Sequence, residues 1–465
     1  MANSRKLKSD LQQRVADALV SVVPSGSSLL VGLSGGVDSV VLLHLLAQLS
    51  TRFSWNISAL HVHHGISPHA DSWAAFCTEL CAKYAIPLRL ERVNIAPLRT
   101  MGIEAAARQL RHAALSSQAV DFIALAHHRD DQAETLLLQL LRGAGVRGAS
   151  AMPMFKPQKD KPSVLRPLLD MERSELEAYA REHGLHWVED DSNQDVSYPR
   201  NFLRHKVLPV LQQRFPAYRT TLARSARHFA EAAELLDELA AQDAGSAVTG
   251  ERLSVAALRQ LNTARGKNLL RYFLLVRGAP IPDSTRLAEM LRQLSEAGEG
   301  AQIRVTWQDW QLRCYRGHAY ALPVTLPAVD FSIIWQGETE MILPASHGVL
   351  HFARVYGRGI SLARLQQGAA TIRSRQGRES IVPDATRPRQ SLRNLLPQQG
   401  VPPWRRELLP LLFCGDDLVA VPGVATDSRY AAQADEAGVL VSWQYWTKMP
   451  GGQSCSGGVT HTAAG

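Results

Sequence analysis

Between Leu29 and about Val188, short apolar runs alternate with longer stretches whose apolar residues recur at helical spacing. That alternation predicts an α/β fold, a doubly wound parallel sheet with helices on both faces. The predicted strands are Leu29–Leu33, Ile57–Val62, Leu88–Val93 and Phe122–Ala126, and the helices between them include Val37–Leu49, Ser72–Tyr84, Glu104–Ser116 and Gln132–Leu141. Beyond Pro209 and Pro216 the pattern becomes charged, Ala- and Leu-rich and amphipathic, with helices predicted over Tyr218–Ala241, Val255–Leu261, Gly266–Val276 and Ser284–Ser295. This predicts a helical middle domain. A strand-like pair follows, Gln302–Trp307 and Gln311–Tyr315, and the Pro-containing stretch Leu322–Val329 reads as a linker. From Phe331 to about Tyr445 short β-like runs such as Val349–Ala353 and Leu418–Val421 predict a small α+β C-terminal domain. The expected divisions are residues 1–213, 214–325 and 326–446, with a Gly-, Ser- and Thr-rich tail over 447–465 expected to be disordered.

In parallel sheets of this kind ligands collect at the carboxyl ends of strands, and the polar clusters of this chain fall there. The first strand runs into Ser34-Gly35-Gly36-Val37-Asp38-Ser39 and then a helix. Gly35 and Gly36 lack a Cβ, so the backbone can take positive φ and aim N–H groups, including that of Val37, at an anion on the positive end of the helix dipole. Ser34 and Ser39 add hydroxyls. The loop lacks the lysine of the Gly-x4-Gly-Lys motif and carries acidic Asp38, which suits a Mg2+-chelated polyphosphate. The competing structural reading is a Gly/Ser turn that caps an ordinary helix.

The second strand ends in His61-Val62-His63-His64-Gly65, with His63 the preferred site candidate against a purely structural, hydrogen-bonded imidazole. The fourth leads into His127-His128-Arg129-Asp130-Asp131-Gln132-Ala133-Glu134. Asp131 and Glu134 share a helical face and could hold an ammonium group or Mg2+. They could also be an N-cap and its N3 partner. Arg108 and Arg111, three apart on one helix, form either an anion clamp or a solvated face.

Composition narrows these readings. A chain of 465 residues should hold two or three domains, and its 45% hydrophobic content suffices to bury them. The formal charge of +8 favours a polyanionic partner. Much of the excess is local: Thr371–Arg406 carries eight arginines, among them Arg387, Arg389, Arg393 and Arg405, against Glu379 and Asp384. This is expected of an RNA-binding surface with Trp404 as a stacking or packing ring, the alternative being an arginine-rich soluble face. Five cysteines, an odd and sparse set, argue against a disulfide framework, and Cys77 and Cys81 read as packing. The N-terminus lacks a signal-peptide pattern, and no apolar run is long enough to span a bilayer. A cytoplasmic location is expected, with no membrane partner.

The Ser-Gly-Gly-x-Asp-Ser loop resembles the pyrophosphatase loop (PP-loop) of enzymes that split ATP between its α and β phosphates. Together with His61–Ser72, Glu104–Arg111, Ala126–Gly145, Glu189–Arg204 and Gln398–Leu412, it resembles the tRNA(Ile)-lysidine synthetase family over most of the chain. A departure is His112, where the family more often has Tyr. The resemblance implies an adenine nucleotide alpha hydrolase-like fold and ATP with Mg2+ as cofactors. The substrates it implies are L-lysine and a tRNA(Ile) with a CAU anticodon. Lysine would be joined to C2 of the wobble cytidine through an adenylated intermediate, releasing pyrophosphate and AMP. It implies nucleotide binding by Ser34, Gly35, Gly36, Val37, Asp38 and Ser39, and catalytic roles for Asp38, Asp131, Glu134, Arg108, Arg111 and His63. The expected tRNA contacts are Arg200, Asn201, Arg204, Arg389, Arg393 and Arg405. Rival readings are another PP-loop enzyme, such as a tRNA thiolation enzyme or an ammonia-using synthetase, and a non-catalytic tRNA-binding relative. Absence of a Cys-x-x-Cys pair disfavours thiolation, and intact Asp38 and both serines disfavour the relic.

Overall fold

A computed structural model describes residues 10–444 except 299, 325, 326, 346 and 387; the expected tail and Arg387 therefore lie outside the described residues. The chain divides into two compact units, residues 1–235 and 236–465.

In the first unit, helix α1 (Asp10–Val20) precedes β1 (Ser28–Gly32), α2 (Val37–Phe53), β2 (Asn56–His63), α3 (Ala70–Lys83) and β3 (Leu88–Arg92). Then follow α4 (Ile103–Ser116), β4 (Phe122–Ala124), α5 (Arg129–Leu141), β5 (Phe155–Lys156), β6 (Ser163–Leu165) and α6 (Arg173–Glu182). The six strands form one sheet in the order β3-β2-β1-β4-β6-β5, parallel except for β5. Its centre is β1, whose Leu29, Leu30 and Val31 are buried, and α2 is apolar on nearly every side, as a helix enclosed by neighbours must be. The strand order reverses between β1 and β4. That switch point opens a crevice at the carboxyl ends, flanked by the loops that leave those two strands. The predicted strands agree within about two residues, but β5 and β6 were not foreseen, being two and three residues long and too short for a period to show.

Helix α7 (Tyr218–Ala247) contains the division between the units. The second unit combines α8 (Val255–Gln260), α9 (Thr263–Val276) and α10 (Ser284–Glu296) with strands β7 (Val248–Thr249), β8 (Arg252–Ser254), β9 (Arg304–Trp307), β10 (Trp310–Tyr315) and β11 (His318–Pro323). These strands form an antiparallel sheet in the order β7-β8-β11-β10-β9. The middle region is thus mixed rather than helical. The predicted linker also begins too early, since Leu322 and Pro323 pair with Gln311 and Trp310. Pro323 misleads because a proline is tolerated at a strand end. After residue 330 come β12 (Ser332–Ile334), β13 (Glu340–Ile342), β14 (Val349–Tyr356), β15 (Ile360–Ser361), β16 (Ala370–Arg373), β17 (Ser380–Ile381) and β18 (Gln390–Ser391). They are followed by α11 (Leu392–Gln398), α12 (Pro403–Arg406), β19 (Leu411–Cys414), β20 (Asp417–Val421), β21 (Ala425–Thr426) and β22 (Ala437–Gln444). Two sheets, β12-β16-β19-β20-β21 and β13-β14-β22-β15, share a core that includes Leu350, Ile372, Leu396, Leu412 and Val439. Among the described residues no helix is long and apolar enough to cross a membrane.

Candidate active site

The loop that leaves β1 is held by its own hydroxyls. Ser39 Oγ donates to Gly36 O at 2.9 Å and accepts from the backbone N–H groups of Ser34 and Gly35, each at 3.2 Å. Ser34 Oγ lies 3.1 Å from Ser39 Oγ. Gly35 has φ +90°, and a Cβ there would come within 2.8 Å of Val188 Cγ2, so conformation and space both require glycine. Gly36, by contrast, is extended at φ −73°, so only one of the two glycines uses positive φ. Val188 N donates to Gly35 O at 3.0 Å and closes the loop from outside. Asp38 lies in the first turn of α2, beside Val37 at the helix start.

Across the switch point, His128 precedes α5 and is almost fully buried. Its Nε2 lies 3.6 Å from Asp38 Oδ2 and 3.4 Å from Asp131 Oδ2, and its Nδ1 lies 3.7 Å from Asp130 Oδ2. Burial opposes charge on this imidazole, but Asp38, Asp131 and Asp130 overcome it and raise its pKa above the ordinary histidine value. Asp131 is not the N-cap of α5: its Oδ2 accepts from the backbone N–H of His128 at 3.0 Å, the N3 position of a capping arrangement. Burial disfavours its ionisation, yet His128 and Arg200 hold the carboxyl down at about 2.

Glu134, 1% exposed, is engaged from two sides. Arg200 Nε donates to its Oε2 at 2.7 Å, and Arg204 donates through Nε to Oε1 at 2.7 Å and through Nη2 to Oε2 at 2.9 Å. Arg200 Nη2 also reaches Asp131 Oδ1 at 2.9 Å. Both arginines come from a helical segment in which Leu203–Val207 forms a π-helical turn, a widening found mostly at functional sites. Arg200 and Arg204, expected to meet tRNA, are therefore placed against the two acids expected to meet lysine. Asn201 Nδ2 donates to Asp195 O at 3.0 Å.

A second group of cations is uncompensated. Among the described residues Arg108, Arg111 and Arg166 have no carboxylate within ion-pair distance. Arg166 follows β6, and its Nη1 donates to Pro153 O at 2.9 Å while its buried Nε has no partner. Burial, then Arg108, lowers Arg166 to about 10. Burial, then Arg108 and Arg200, also lowers Arg111. The same environment holds two imidazoles neutral: His64 is lowered to about 4, by burial and then by Arg111, and His127 to about 3, chiefly by burial. Such a cluster is prepared for an anion. Neither Arg166 nor His128 was singled out from sequence. The first sits in Arg166-Pro167-Leu168, which carries no spacing signal, and the second was passed over beside its acidic neighbours.

The imidazole that touches the β1 end is His61, whose Nδ1 lies 2.9 Å from Leu33 O; His63 lies with Nε2 3.2 Å from the exposed Asp71. Cys77 and Cys81 are buried, and burial pushes their thiols up to about 12 and about 11, which suits packing. In the second unit Arg389 lies 3.5 Å from Asp417, and Arg405 pairs with Glu251.

Asp38 Oδ1 is buried with no hydrogen-bond partner, a donor suited to Mg2+. Among the described residues no group of three or more histidine, cysteine or acidic side chains could hold a metal alone. A Mg2+ ion here would share its ligands between Asp38 and substrate phosphates, as that ion commonly does.

A glycine-shaped anion loop at the switch point of a parallel sheet, faced by an acid–arginine cluster, defines a nucleotide-dependent PP-loop enzyme, and residues 5–211 match the family described as PP-loop domain. Residues 253–320 match the TilS substrate binding domain and 370–443 the TilS substrate C-terminal domain. The chain is 46% identical to the tRNA(Ile)-lysidine synthase of Nitrosomonas europaea, covering 95% of this chain and 98% of that one. The proteins of that name from Azoarcus sp. and Chromobacterium violaceum are each 40% identical, covering 91% and 90% of this chain and 93% and 97% of theirs. The chain belongs to the tRNA(Ile)-lysidine synthase family, and is accordingly an ATP-dependent ligase that forms lysidine on tRNA.

Proposed function

We propose that this chain joins L-lysine to C2 of the wobble cytidine of a CAU-anticodon tRNA(Ile). The C2 oxygen is a poor leaving group. It is first adenylated at the α phosphate of ATP with loss of pyrophosphate, after which the lysine amine displaces AMP. The observation that carries this reading is the Ser34–Ser39 loop, rigidified by Ser39 and Val188, whose Asp38 faces His128 and, beside it, the Asp131–Glu134 pair.

The backbone N–H groups at the start of α2 bind polyphosphate oxygens. Asp38, together with substrate phosphate oxygens, would hold a Mg2+ ion, which would supply charge neutralisation for the polyphosphate. Arg108, Arg111 and Arg166 receive the phosphate charge that moves away from the loop. Asp131 and Glu134 take the lysine ammonium when Arg200 or Arg204 turns from them toward a tRNA phosphate, so the two expected roles are successive states of one cluster. A protonated amine cannot attack, and in this reading these carboxylates accept its proton.

In this reading residues 1–213 perform catalysis, while 214–325 and 326–446 bind tRNA. Arg389 and Arg393 are among the contacts, and a tRNA substrate supports a cytoplasmic location. The test is incubation with ATP, each amino acid and unmodified CAU-anticodon tRNA, followed by mass analysis of the wobble nucleoside. Lysine-dependent gain at that nucleoside with stoichiometric AMP is expected; a mass change without lysine, or none, would reject the reading.

A further inference from the structure

The arginine-rich stretch has two ends with opposite surroundings. Arg393, at the start of α11, has no described partner, whereas Trp404, Arg405 and Arg406 of α12 are all engaged by the β7–β11 sheet and its turns. Trp404 meets Tyr320 edge to face at 5.2 Å between ring centroids and Tyr315 at 6.2 Å, and the Arg313 guanidinium lies 5.3 Å from the Trp404 ring centre. Arg406 donates through Nη2 to Tyr315 OH at 2.9 Å and through Nε to Val401 O at 2.8 Å. Arg405 forms an ion pair with Glu251, with side-chain exposures of only 11% and 10%, and Arg277 reaches the same carboxylate at 3.5 Å. Arg316, in the turn between β10 and β11, donates to Pro397 O at the end of α11.

The Trp404–tyrosine, Arg405–Glu251, Arg406–Tyr315 and Arg316–Pro397 contacts join the region of the substrate binding domain to that of the C-terminal domain. An aromatic ring held edge to face by two tyrosines with a guanidinium over it already has its partners, and a guanidinium on a buried carboxylate has no charge to offer RNA. We propose that Val401–Arg406 is a latch: Trp404, Arg405 and Arg406 are positioning residues that fix the C-terminal region on the β7–β11 sheet, and they do not themselves contact tRNA. The latch rests on the reading that both regions bind tRNA, and it assigns tRNA contact to the unlatched arginines. A rigid join makes the second contact with one tRNA intramolecular, so loosening it weakens long substrates without touching the chemistry.

The test uses the full chain with two RNAs, whole tRNA(Ile) and its anticodon stem–loop, and compares wild type with Arg405→Glu, Glu251→Arg, the double exchange, and Trp404→Leu. The expected result for Arg405→Glu and Trp404→Leu is a rise of about tenfold in KM for whole tRNA, with kcat and the stem–loop KM unchanged. The double exchange should recover most of that loss. Arg405→Gln, a milder change, should give the same pattern at smaller size if Arg405→Glu folds poorly. Equal losses on both RNAs, or no loss in any variant, would overturn the latch. A wild type that uses both RNAs with the same KM would instead overturn the underlying reading of the C-terminal region. Trp404→Leu that weakens whole-tRNA binding as much as it would by loss of a stacked base, while scattering shows an unchanged radius of gyration, would also overturn the latch.

Discussion

Two groups of arginines in the first unit differ in their company. Arg200 and Arg204 end on Glu134 and Asp131, while Arg108, Arg111 and Arg166 end on no carboxylate among the described residues. Glu134 is buried and the first group supplies its counter-charge without ligand, whereas Arg108 and Arg111 are exposed to solvent and only Arg166 carries a buried, unpartnered Nε. Paired arginines hold a shape; unpaired ones hold a vacancy for an anion. Two groups of identical chemistry, carried in one unit, thus start from opposite states, one already paired with carboxylates and one not.

The largest effect should come from breaking the paired group. Glu134→Gln leaves two guanidinium groups short of a buried counter-charge and should lower stability by about 3 kcal/mol, measured by denaturant titration. A change below about 0.5 kcal/mol, the scale of an exposed pair, would erase the contrast. Asp38→Asn should retain the fold by circular dichroism and lower lysine- and tRNA-dependent pyrophosphate release by about 100-fold, because it withdraws the unpartnered Oδ1 charge from the polyphosphate. Near-normal release would remove Asp38 from the chemistry.

The unpaired group responds in the opposite sense. Arg166→Gln removes a cation held among cations, so stability should be unchanged or slightly higher, while kcat/KM falls about tenfold. A clear loss of stability would show that Arg166 is a structural residue.

The smallest effect concerns pH. His64 is neutral in the fold, with its pKa lowered from 6.5 to about 4, so as pH falls through that window the unfolded chain takes up a proton first and stability declines. His64→Gln should flatten the decline between pH 6.5 and 4 in thermal melts, and an unchanged slope would mean that neither burial nor the nearby Arg111 holds this imidazole neutral.

The alternation of strand and helix was legible because β1, β2 and the apolar helix α2 each carry a sustained apolar pattern, while the three-residue β4 was found only as the start of the longer apolar run Phe122–Ala126. The phosphate loop was legible for a different reason: Gly35 and Ser39 act within six residues, so the sequence prints their relation directly. The partners of Asp131 and Glu134 were not, since Arg200 and Arg204 lie about seventy residues away and only the fold brings them together. Arg166 was hidden because an unpaired cation is defined by what fails to surround it. In the second unit the arginine count marked a basic stretch correctly but could not separate Arg405, turned to Glu251, from Arg393. Strand β11 is absent from the predicted elements, and its last two residues fell in the predicted linker because Pro323 looks like a breaker when its pairing with Trp310 cannot be seen.

The contact between Val188 and Gly35 has a consequence in time. The last hydrogen bond of the phosphate loop and the wall that forbids a side chain at Gly35 are supplied by a residue made long after the loop itself. A ribosome extends a chain at about 5–20 residues per second, so for several seconds a nascent chain carries all of Ser34–Ser39 without its closing partner. During that interval the loop has its glycines and hydroxyls but no fixed outline. The outline of the loop is therefore completed late in synthesis of the first unit, when the segment after α6 emerges and Val188 reaches Gly35.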